Sequence, residues 1–180
     1  MTTHVPMIIS LTTLSALLFA ACVTSEPANL AADADADHTT ATRIATFDTL
    51  DFDVFTHQKW DRLHESHAAD ITVHWPDGHT TTGIDKHISD LKALFVYAPD
   101  TRIEVHPVKF GTGEWTSVYG IMEGTFTAPM PLPDGSTIPP NGKAFKLPMA
   151  TIGHWRGDVM DEEYLFWDNA TYMKQLGLAP

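Results

Sequence analysis

From Lys143 to Leu178 the chain spells KAFKLPMATIGHWR, then GD, then VMDEEYLFW, then DNATYMKQLGL. That reads as a strand, a two-residue turn, a second strand and a short helix. A turn of two residues joins strands only antiparallel, so the last quarter commits the chain to an antiparallel sheet. Glu162 and Glu163 sit side by side in the second strand, among Tyr164, Phe166 and Trp167. Period-two alternation puts Glu163, Leu165 and Trp167 on one face and Glu162, Tyr164, Phe166 and Asp168 on the other. Acids among bulky aromatics fit either a lined pocket or a sheet edge that needs charge.

The preceding chain supplies the rest of an α+β layer. Asp51 to His67 carries Phe52, Phe55, Trp60 and Leu63 at roughly helical spacing, and Asp51 suits its N-cap. His64 and His67 are three apart, so one metal within reach of both is conceivable. No cysteine or carboxylate partner completes a ligand set, and a solvated polar face is the favoured reading. Ile71 to Trp75 reads as a strand closed by the Pro76-Asp77-Gly78 turn. In Ile84 to Ala98, Ile84, His87, Ile88, Leu91, Leu94 and Phe95 form one helical stripe, with Pro99 as the stop. His87 in that stripe reads as a satisfied core histidine. Arg102 to Phe110 and Glu114 to Thr127 read as strands joined by Gly111-Thr112-Gly113, and Gly120 and Gly124 suggest a bend or a bulge. Pro129 to Gly142 is a Pro/Gly-rich rim loop. The expected fold is a curved antiparallel sheet wrapped on N-terminal helices, a cone with a hollow.

Composition narrows the function classes. Hydrophobic residues at 43% indicate a globular domain, and a net charge of −12 with only 11 Lys and Arg speaks against nucleic acid. The single cysteine, Cys22, excludes an internal disulfide. It follows the apolar run Val5 to Ala21, which is short for a membrane span and suits a signal peptide over residues 1–21. Phe19-Ala20-Ala21-Cys22 resembles a bacterial lipobox, with Cys22 as the lipidation site, although Met1 to Met7 lacks any Lys or Arg. An ordinary cleaved secretory leader is the alternative. Residues 22–44, with the repeated Ala-Asp of ADADAD, read as an acidic linker, and 45–180 as the domain. Both readings place the domain outside the cytoplasm, with the membrane met only through a lipid anchor.

The strings VHWPDG, APDTRIEV, GEWTSVYGIMEGTF and DEEYLFWDNATYMKQLGL, in that order, resemble the SnoaL-like polyketide cyclase and ester cyclase family of the nuclear-transport-factor-2-like superfamily. The resemblance spans about Phe47 to Leu178. It implies an α+β cone, often a homodimer, whose pocket takes a small apolar molecule and closes a ring with no metal or cofactor. It also implies an aspartate on the final strand and a histidine on the strand before it. A gapless alignment puts those two roles on Leu165 and Thr151, and neither side chain transfers a proton.

The candidates left are Glu163 or Asp168 as acid/base, with His154 or His74 as partner. Trp75, Trp115, Tyr119, Tyr164 and Trp167 are the candidate ligand-contacting residues. Each has a plainer explanation. Asp168 precedes Asn169 and a helix, so capping accounts for it. The tryptophans suit a core or a dimer interface. Two functions remain open: cofactor-free acid/base chemistry on an apolar small molecule, or a non-catalytic extracytoplasmic binding module. No phosphate loop, CxxC, HExxH or GxSxG motif is present.

Overall fold

The computed structural model describes residues 30–179. Helix α1 spans Leu30–Thr49 and runs into a π-helical turn, Leu50–Phe55, and a 3-10 turn, Trp60–Glu65. The chain continues through β1 (His67–His74), β2 (Thr80–Thr82), α2 (Ile84–Tyr97), β3 (Arg102–Ile103), β4 (Val108–Thr112) and β5 (Trp115–Thr125). It ends with β6 (Met130–Pro131), β7 (Thr137–Ile138), β8 (Ala144–Arg156), β9 (Val159–Trp167) and α3 (Asn169–Gln175). The main sheet has the order β2-β1-β9-β8-β5-β3, with β4 also paired to β5. It is an open, curved sheet with the helices on its concave side, the expected α+β cone. Among the described residues no helix is long and apolar enough to cross a membrane. The signal segment and Cys22 lie outside the described residues.

Several local expectations are corrected. No single helix covers Asp51 to His67: Gln58 takes a left-handed φ of 56° and breaks it. His67 therefore opens a strand and does not share a helix face with His64. The helix before the break instead begins at Leu30, inside the stretch expected to be tether. Arg102 to Phe110 is two short strands rather than one. Between them His106 is drawn inward onto two carboxylates, Asp48 and Asp51. The β5–β8 register is unbroken from Trp115↔His154 to Thr125↔Ala144, so Gly120 and Gly124 mark no bulge. At Gly124 the reason is close approach, since a Cβ there would lie 2.6 Å from the Phe145 ring. The irregularities fall between His154 and Trp155, opposite β9, and between His67 and Thr72 of β1.

The long strands bury one face, as alternation requires. Along β5, Thr116, Val118, Gly120, Met122 and Gly124 are buried, and the residues between them are not. Trp155 is fully buried and donates its Nε1–H to Thr116 Oγ1 at 2.8 Å, which satisfies the indole inside the core. Tyr97 of α2 and Tyr172 of α3 share a buried hydroxyl bond of 2.6 Å. Arg43 of α1 donates to the carbonyls of Gly113 at 2.7 Å and Gly157 at 2.9 Å, tying the helix to both hairpin turns. The pairing that periodicity does not reveal is β1 beside β9: it is parallel, with Val73 opposite Glu163.

Candidate active site

Glu163 sits on β9 with its side chain on the concave face, where only 4% of the residue is exposed. His67 at the start of β1 and His87 on the inward stripe of α2 come in from two other elements. His87 Nε2 stands 3.4 Å from Glu163 Oε2 and His67 Nε2 stands 3.8 Å from it. Both distances are long for a charged hydrogen bond. The Ser66 hydroxyl donates to the Leu63 carbonyl at 3.2 Å and meets His67 Nδ1 at 2.9 Å. With its one proton on that carbonyl, Ser66 accepts from Nδ1–H, and the His67 ring turns its Nε2 toward the carboxylate.

These groups line a hollow of about 40 Å³. Its walls are otherwise apolar, with Leu50, Phe55, Leu91, Ile103, Met122 and Met149 among them, and Asp51 is the second carboxylate on the lining. Trp75, Leu94 and Trp167 are the only lining residues that are not buried, so the hollow meets solvent on their side. The Trp75 and Trp167 rings meet edge to face at 6.4 Å.

The two carboxylates are perturbed in opposite senses. Burial pushes the Glu163 carboxyl up, but the imidazoles against it outweigh burial and hold it below the usual range. Burial pushes His87 down to about 4, against the pull of Glu163. A His87 kept neutral lends the carboxylate no charge, so these two directions pull against each other. Burial raises the Asp51 carboxyl, and its 2.7 Å bond from His106 Nε2 offsets only part of that. His106 also donates from Nδ1 to Asp48 at 2.8 Å. Burial works against a charged His106 ring, but its two carboxylate partners prevail and raise its pKa. Asp51 is thus no helix cap.

The sequence candidates divide by sheet face. Glu163, Trp75 and Trp167 are at the hollow. Thr151 and Leu165, where the family's histidine and aspartate would align, also line it and are paired across β8 and β9. The positions face the right way but carry no titratable group. The other candidates lie elsewhere. His74 donates to Glu162 at 2.9 Å and stacks on Tyr164 at 4.2 Å, on the opposite face. His154 bonds Asp161 at 2.7 Å, and Trp115 and Tyr119 are exposed on that outer face at 42% and 39%. Asp168 caps α3, accepting from Ala170 N at 2.9 Å and Thr171 N at 3.2 Å. Local spacing placed His67 with His64, Asp51 at a helix cap and His87 in the core, and did not bring the three to one site. The position of His87 in an apolar stripe was its available signal, and the expectation that it is satisfied fails, because its Nδ1 is buried with no partner.

A family model described as SnoaL-like polyketide cyclase matches residues 47–176. No curated protein sequence matches the chain. Among solved structures, a protein described as a SnoaL-like polyketide cyclase from Jannaschia sp. CCS1 superposes with TM-score 0.67 at 19% identity, over 79% of this chain and 96% of that one. IdmH from Streptomyces antibioticus, described as a polyketide cyclase, gives 0.64 at 20% identity, over 75% and 98%. A protein of ketosteroid isomerase-like fold from Catenulispora acidiphila, in complex with trimethylamine, gives 0.60 at 17%, over 78% and 95%. At these identities the structures speak to fold alone, and they agree with the sheet and helices described above. With the family model covering most of its length, the chain belongs to the SnoaL-like polyketide cyclase family.

Proposed function

We propose that this domain takes the reacting end of a small apolar molecule past Trp75 and Trp167 and carries out acid/base chemistry on it in the hollow. One observation carries the reading: an acid, Glu163, is held in an apolar hollow with two imidazoles within 4 Å. Titratable groups buried together beside an apolar hollow are the arrangement expected of an active site. Such a cluster supplies proton acceptors and donors at fixed positions, and positioned proton transfer contributes roughly 10²–10⁴-fold to a rate. A hollow of about 40 Å³ has room for only a few water-sized groups. Most of a larger substrate would therefore rest on the tryptophan rim.

The test is a thermal-shift screen of apolar carbonyl, ester and epoxide compounds, followed by turnover assays of each hit with wild type and Glu163→Gln. Loss of turnover by two or more orders of magnitude in the variant, with binding kept, supports the reading. Turnover that survives the change removes Glu163 from the chemistry. A non-catalytic binding role has one observation in its favour, the untitratable Thr151 and Leu165 at the family's two positions, and hits that bind without turning over would decide for it.

The outer face of the sheet, with Phe110, Trp115, Tyr119 and Phe166 exposed, suits a second copy of the chain. An extracytoplasmic, lipid-anchored location rests on the reading of residues 1–22. Labelled palmitate incorporated in wild type and lost in Cys22→Ala tests it.

A further inference from the structure

We propose that His67, His87 and Glu163 hold a divalent transition-metal ion of the zinc or iron(II) kind, with its open coordination position turned into the hollow. The proposal rests on the reading of the hollow as the reacting site and departs from the metal-free chemistry that the family resemblance implies. Its first ground is that three buried ligating groups are short of partners. The side chains are 1%, 3% and 5% exposed. His67 Nε2 and Glu163 Oε2 are buried with no hydrogen-bond partner, and His87 Nε2 has only a long 3.4 Å approach to that same carboxylate oxygen. Leaving buried polar atoms unmet is costly, and a cation among them removes the cost at a stroke.

The second ground is geometry. One ligand atom from each residue lies within 4.8 Å of the other two. Bonds of about 2.0–2.2 Å to zinc at a tetrahedral angle put two ligand atoms roughly 3.4 Å apart. The 3.4 Å separation of His87 Nε2 from Glu163 Oε2 matches that spacing, and the 3.8 Å separation of His67 Nε2 exceeds it by under an ångström. The largest separation allowed by the 4.8 Å bound closes with side-chain movements of roughly 1.4 Å in all. The third ground is the shell behind the ligands. Ser66 fixes the His67 ring with Nε2 inward, the arrangement by which a second partner commonly orients a ligating histidine.

The donor set narrows the ion. Two imidazoles and one carboxylate match catalytic zinc and non-haem iron(II), whereas magnesium and calcium prefer all-oxygen shells. A cation here would turn the three groups from proton carriers into ligands. A water on its open side would sit in the hollow, and Asp51, held by His106, would be the uncoordinated carboxylate on the same lining. Metal-bound water ionises far more readily than bulk water, which is the chemistry such an ion supplies.

The experiment strips the purified full chain with a chelator and titrates it with Co²⁺ and then Zn²⁺, reading calorimetry and the visible absorption of cobalt. The expected result is one ion per chain with the intense visible bands of a four- or five-coordinate site. Glu163→Gln should weaken binding by more than the roughly 10–100-fold that loss of a supporting partner costs, and Ser66→Ala by about that amount. His64→Ala, at an exposed histidine, should change nothing. Absence of saturable binding overturns the proposal, and so does binding that survives Glu163→Gln, which would mark surface histidines. If Glu163→Gln does not fold, the wild-type cobalt spectrum decides. Turnover that persists in chelated protein overturns the metal but leaves the acid/base site standing. Metal bound with no small molecule accepted by the hollow does the reverse.

Discussion

Replacing Gly124 by alanine tests the packing that curves the sheet. A Cβ built there lies 2.6 Å and 2.8 Å from two atoms of the Phe145 ring and 3.0 Å from Thr101 Oγ1. Carbon atoms in contact prefer about 3.5–4.0 Å, so the ring must withdraw by roughly 1 Å. Little space receives it, because Phe145 is 3% exposed and its ring meets Tyr172 at 5.0 Å. Tyr172 is in turn fixed by its hydroxyl bond to Tyr97. Inserting a methyl into such a site costs about 1–3 kcal/mol. At about 2–4 °C per kcal/mol for a domain of this size, the melting temperature should fall by roughly 2–12 °C. Phe145→Leu made in the Gly124→Ala background should recover part of the loss, with a coupling of at least ~0.5 kcal/mol in a double-mutant cycle. Denaturant melts of the four proteins give the answer. A Gly124→Ala protein that melts with wild type, or a cycle that is additive, would refute the argument that close approach requires glycine here.

Three further outcomes follow from the structure. Asp168→Ala removes the acceptor for two backbone N–H groups of α3 and should cost about 0.5–2 kcal/mol in denaturant melts while leaving turnover of any screen hit unchanged. His106 has a raised folded-state pKa, so its pairing with Asp48 and Asp51 stabilises fully below its unfolded value of about 6.5 and is lost as pH rises through the folded value. Wild type should therefore lose stability on the alkaline side of about pH 6.5, and His106→Gln should flatten that limb of the stability-pH curve. A charge on the outer face, as in Phe166→Glu, should convert the proposed dimer to monomer in light scattering, and a wild-type protein that is monomeric at every concentration would end that proposal.

The sequence was most legible where structure is local. The α2 stripe, the Gly157-Asp158 turn, the Asp168 cap and the alternation of β5, β8 and β9 all depend on residues within a few positions of one another. The parallel pairing of β1 with β9 does not, because about ninety residues separate Val73 from Glu163 and no periodicity reports on the register. That pairing helps bring His67 and Glu163 together, and α2 adds His87 from a third element. A cluster built from three distant elements has no spacing to read, unlike the i, i+3 pair His64 and His67, which the break at Gln58 separates. The alignment with the family read the face of β9 correctly, since Leu165 and Glu163 both point into the hollow. It could not show which partners Glu163 meets, because neither histidine lies on the neighbouring strand β8.

A crystal structure of the protein with the tightest hit from the apolar screen bears most directly on whether the hollow is where a small molecule is received. The account predicts ligand density beyond Trp75 and Trp167, within about 4 Å of the Glu163 carboxylate. Density on the outer face near Trp115, Tyr119 and His154, with the hollow unchanged, would contradict it.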